Sequence, residues 1–121
     1  MKPVYSFFIA SALVLTGCAA PKPLPPPPPL QLATPSNEQK AAILNAILSS
    51  LKDPDSAKFG RIGMLSNSKA VCVEVNAKNA FGGYTGFQTA ALVGDPEIGW
   101  ASPKISKIDF EKCLEVLRRF Q

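Results

Sequence analysis

Two local carboxylate pairs, Asp53 with Asp55 and Asp95 with Glu97, are the first places in this sequence where chemistry could sit. A glycosidase sets two carboxylates about 5–10 Å apart across a substrate cleft, and a chain this small has little room for one. The Asp-Pro-Asp-Ser run at 53–56 also lacks the oxygen spacing of a calcium loop. Both pairs read better as helix-ending and turn residues. The sequence holds no histidine, which removes the commonest general base, the usual zinc ligand and every Ser-His or Cys-His nucleophile pair. No Ser-x-x-Lys stands at a helix start. The chain is therefore expected not to be an enzyme, and no metal or cofactor is expected. The richest remaining segment is 76–86. It holds Asn76, Lys78, Asn79, Phe81 and Tyr84 with Gly82, Gly83 and Gly86. Amides and an ammonium can hydrogen-bond a sugar, a carboxylate or a partner's backbone, and the aromatics can stack on a ring. The same residues also suit a structural loop, with glycines for the bend and aromatics capping a small core. Gly82-Gly83 lacks the lysine-plus-hydroxyl pattern of a phosphate cradle, and no helix follows it. Trp100 reads as a core or rim aromatic more readily than as a ligand platform.

The elements that must position these residues follow from periodicity. Ser36 and Gln39 make a capping box. Behind it Ile43, Leu44, Ile47, Leu48 and Leu51 form one helical face, which Asp53-Pro54 stops. Residues 58–65 read as a strand weakened by Gly60 and Gly63, and 66–68 as a turn. Residues 70–77 form the clearest strand, with Val71, Val73 and Val75 alternating with Cys72, Glu74 and Asn76. A third strand is expected at 86–93 and a loop at 95–106. Asp109 can cap a last helix whose stripe is Phe110, Cys113, Leu114, Leu117 and Phe120. The expected fold is α+β, ordered α-β-β-β-α, with a three-stranded antiparallel sheet packed by N- and C-terminal helices.

Cys72 and Cys113 are an even pair. In an oxidising compartment they would form a disulfide; otherwise they are two buried thiols. Strand side chains alternate, so a Cys72–Cys113 bond would put the last helix on the face opposite the valines and leave the valine face to the first helix.

Residues 1–17 have another character. Lys2 precedes an apolar run at 4–15, which is shorter than the ~20 residues a spanning helix needs. The run ends in Leu15-Thr16-Gly17-Cys18, which resembles the lipobox of bacterial lipoproteins. The resemblance implies a signal peptide at 1–17 and a diacylglycerol thioether on Cys18. Plain cleavage near Ala20 and an uncleaved cytoplasmic N-terminus are the alternatives. The residue after the anchor is Ala19 rather than aspartate, which in the enterobacterial sorting pattern implies the outer membrane, periplasmic face. Residues 18–35 then form a linker. Its proline run at 21–29 favours polyproline II and reaches ~28 Å at ~3.1 Å per residue. It is a spacer, or else a docking peptide for an aromatic groove.

The remaining 86 residues, 36–121, form one small domain. It holds eleven Lys and Arg against nine Asp and Glu, scattered rather than clustered, so no nucleic-acid partner is expected. The stretches Lys-Asp-Pro-Asp-Ser-Ala-Lys-Phe at 52–59 and Asn-Ala-Lys-Asn-Ala-Phe-Gly-Gly-Tyr-Thr-Gly-Phe at 76–87 resemble a group of small exported bacterial proteins of unassigned role. That resemblance implies a shared fold and brings no activity with it. The functional expectation is a lipid-anchored envelope protein whose domain binds another envelope protein or the cell wall without catalysis. An inhibitor or immunity-type lipoprotein acting on a cell-wall hydrolase is the alternative.

Overall fold

Ser36 begins the first helix as the residues demand. Its hydroxyl accepts from the Gln39 amide N–H, and the Gln39 side chain accepts from the Ser36 N–H, satisfying two donors that the first turn leaves free. Helix α1 is Asn37–Leu48. The computed structural model describes residues 17–95 and 97–121. Residues 1–16, most of the expected signal peptide, lie outside the described residues.

Strands β1 (Leu32–Ala33), β2 (Lys58–Leu65), β3 (Ala70–Asn76), β4 (Gln88–Asp95), β5 (Gly99–Trp100) and β6 (Lys104–Ser106) form one antiparallel sheet, and helix α2 is Phe110–Leu117. The fold is α+β, but among the described residues the sheet has six strands rather than three. The order is β1-β2-β3-β4, with β5 and β6 both on the far edge of β4.

The three extra strands correct two expectations. Part of the expected linker, Leu32–Ala33, pairs with Leu65 and Met64, and Ser66 N–H donates to the Gln31 carbonyl at 3.0 Å. Part of the expected loop at 95–106 forms β5 and β6. The register against β4 slips by one residue between them, in the stretch that holds Pro103. Proline cannot donate to a ladder and is tolerated at such an edge. None of these strands shows alternation, because two or three residues are too few to carry it.

The core has two faces. On one, Ile43 and Ile47 of α1 lie on Val71, Val73 and Val75, with Met64, Ala90 and Leu92 beside them. On the other, Phe110, Cys113, Leu114 and Leu117 of α2 cover Leu65, Ala70 and Cys72. Cys72 and Cys113 are disulfide-bonded with Cα atoms 6.2 Å apart, so the sheet is sandwiched between the helices as the pairing requires. Phe59 and Ile62 both face α1, which strict alternation forbids. A bulge between them, at Gly60 and Arg61 opposite Glu74, restores the face. Gly63 lies under α2, where an added Cβ would come 2.6 Å from Leu114 Cδ2. Asp109 occupies the N-cap of α2 without a side-chain cap bond, and Phe120 belongs to a 3-10 turn after the helix and is exposed.

The sheet has two unlike ends. β1 joins it at the Leu65 end, where Asn67 Nδ2 donates to the Phe120 carbonyl and Gln31 N–H to Gln121 Oε1. The Lys58 end, ~25 Å away at ~3.3 Å per strand residue, carries the 77–87 connection between β3 and β4.

Candidate functional site

The β3–β4 ladder closes at Val75–Gln88 and resumes only as an isolated Lys78–Tyr84 bridge, one residue out of register. Asn79 builds the tip. Its Oδ1 accepts from the N–H groups of Phe81 at 2.9 Å and Gly83 at 3.2 Å. Its own N–H donates to the Gly83 carbonyl, and its carbonyl accepts from Gly82 N–H. Gly82 and Gly86 have φ of 78° and 93°, in the region that disfavours a side chain. The glycines and Asn79 thus serve a defined turn.

Tyr84 is a strut. Its hydroxyl donates to the Ser56 carbonyl at 2.9 Å, and its ring carries the ammonium of Lys58 at 4.8 Å and that of Lys78 at 5.8 Å. Ser56 also takes the Lys78 N–H on its hydroxyl at 2.9 Å, while that hydroxyl donates to the Asp53 carbonyl. The two sequence stretches at 52–59 and 76–87 are therefore one structural unit. Ser56 and Lys58 escaped sequence reasoning as members of it. The only signal for them was their place in the first of the two stretches.

Of the five loop residues singled out, the structure gathers Lys78, Asn79, Phe81 and Tyr84 into this unit. Asn76 sits at its base with a buried Oδ1 that has no hydrogen-bond partner among the described residues. Phe81 stands apart. Its side chain is 97% exposed at the tip, while the backbone beneath it is pinned.

A groove of about 440 Å³ opens between the end of α1 and this loop. Leu51, Val75 and Ile105 lie along it, and Lys52, Lys78 and Phe81 stand among its walls. No aspartate or glutamate lines it. On the opposite face Arg61 bridges Glu74 and Glu111 at 2.9 Å each and lies over the Phe110 ring at 4.4 Å. The hydrogen bond from Arg61 holds the Glu74 carboxyl below the ordinary glutamate range.

The carboxylate pairs serve turns. The Asp53 carbonyl accepts from the N–H and the hydroxyl of Ser56, and Asp95 Oδ1 accepts from the N–H of Glu97. Trp100 is half-buried against the α1 side of the core. Among the described residues no group of three or more acidic or cysteine side chains could hold a metal ion, and no helix is long and apolar enough to cross a membrane. Cys18 is exposed and unbonded, and Leu30 packs on the α2 cluster. Compared with known proteins, the chain matches no family model, no curated protein and no solved structure.

Proposed function

We propose that the protein is a lipoprotein anchored through Cys18 to the outer membrane, whose periplasmic domain binds another envelope component without catalysis. One observation carries the binding half of this reading. The 77–87 loop is fixed by Asn79, Tyr84 and Ser56, yet presents Phe81 bare at its tip. A rigid loop with a bare aromatic at its tip loses little entropy on binding, and a buried aromatic is the commonest anchor of an interface. The loop lies at the end of the sheet opposite the strand that follows the proline run. A spacer joined there leaves the tip facing away from the anchor. The buried disulfide supports an oxidising compartment.

Two measurements test the reading. Growth with labelled palmitate is expected to label the chain, and to leave it unlabelled when Cys18→Ser is made. Capture from envelope extracts is expected to recover one dominant envelope partner with the native chain and to lose it with Phe81→Ala. An unlabelled product removes the anchor. Undiminished recovery by the folded Phe81→Ala chain removes the loop. A tight complex with an added cell-wall hydrolase, and with no endogenous partner, would favour the inhibitor reading.

A further inference from the structure

The groove beside the loop has a composition that specifies more than a generic contact. Its floor is apolar, from Val75 and Ile105, and Leu51 closes the α1 side. Two exposed lysines line the groove, Lys52 from the α1 side and Lys78 from the loop, the Lys78 ammonium also lying 5.8 Å from the Tyr84 ring. Asp53 and Asp55, the carboxylates closest in sequence, belong to the turn behind and do not line it. Net charge in the groove is therefore positive, over an apolar bed, with a free phenyl ring at one end. Its volume of about 440 Å³ falls within the ~300–1,000 Å³ range of ligand sites and is large enough for a few residues of extended chain.

We infer that this groove seats an acidic, extended peptide segment of a partner protein, with carboxylates on Lys52 and Lys78 and apolar side chains on the floor and on Phe81. The inference rests on the binding role proposed for the loop and names the chemistry of its partner. Three features select this occupant. The lysines select anions and exclude basic segments. The break in the β3–β4 ladder leaves Thr85 and Gly86 exposed along the groove, and exposed backbone suits a peptide better than an acyl chain. Phe81 needs an apolar surface of ~150–200 Å² to be covered, which a partner protein supplies and a wall peptide of small residues does not.

The test uses the full chain in neutral detergent, titrated against a fluorescein-labelled hexapeptide of alternating aspartate and leucine. A saturable anisotropy rise is expected. The asparagine counterpart of the peptide, and the Lys52→Gln, Lys78→Gln double variant, should each bind about tenfold more weakly. Both lysines are exposed, and an unchanged melting temperature would show that the double variant is folded. No saturation up to millimolar peptide, equal binding of the neutral peptide, or unaltered binding by the double variant overturns the inference. Stronger binding of a muramyl tripeptide than of the aspartate–leucine peptide overturns it in favour of a wall ligand. If Phe81-dependent capture of an envelope partner persists while the acidic peptide fails, the inference falls and the proposed function stands.

Discussion

Asn79 spends its side chain on the backbone. Replacing it with alanine removes the acceptor for two amide N–H groups, and the loop is solvent-exposed, so water takes over part of the bonding. Asn79→Ala is expected to cost about 1 kcal/mol in urea unfolding and to speed hydrogen exchange at Phe81 and Gly83, with the sheet unchanged. Glu74 gives a prediction in pH. Its folded carboxyl is held low by Arg61. The stability this contributes is therefore present above the ordinary carboxyl range and fades as pH falls through the folded value. The urea midpoint should hold from about pH 7 to about pH 5 and drop below about pH 4. The drop should be smaller in Glu74→Gln. An identical acid profile in the two chains would show that the Arg61 pair does not contribute. At this scale the sequence showed which residue types sat in the loop but not their division of labour. Asn79 and Phe81 are two positions apart, and only the bonds to Phe81 N–H and Gly83 N–H separate a builder of the loop from its exposed tip.

Among the elements, α1, β2, β3, β4 and α2 were legible, three of them through a long signal. α1 has its capping box, β3 its alternating valines, and α2 its stripe from Phe110 to Leu117. β1, β5 and β6 were not legible. Each has two or three residues and is defined by the neighbour it pairs with, which local pattern cannot show. Gly63 shows the converse case. In sequence it weakened the case for β2, whereas in the fold it lets α2 approach the sheet. Gly63→Val is expected to cost about 1–3 kcal/mol through overpacking against Leu114 and Phe110. A second change, Leu114→Ala, should recover part of that loss in a double-mutant cycle. Simple additivity of the two costs would place the crowding elsewhere.

For the whole molecule, the disulfide joins the middle strand to the last helix across 41 positions of sequence. In the chain-entropy model a loop of that size contributes ~3–4 kcal/mol, a large share of the stability of a domain this small. Replacing Cys72 and Cys113 together by alanine should lower the urea midpoint by the corresponding amount. Reductant should do the same to the native chain and nothing to the variant. The division of the core into an α1 face and an α2 face followed from the alternation of Cys72 with the valines. The contribution of residues 30–33 did not follow, because Leu30 and β1 gain their places only once β2 and α2 exist to receive them.

The placement of β1 and the Phe81 tip at opposite ends of the strands sets the mechanics of the molecule. Under the anchoring and binding proposed above, tension between the membrane and a partner gripping the tip would run along the strand axes. The hydrogen bonds of β2 with β3 would then be sheared together rather than opened one after another. The two-residue β1 would give way first and let out slack, like a fuse in a mooring line, while the body of the domain kept its grip.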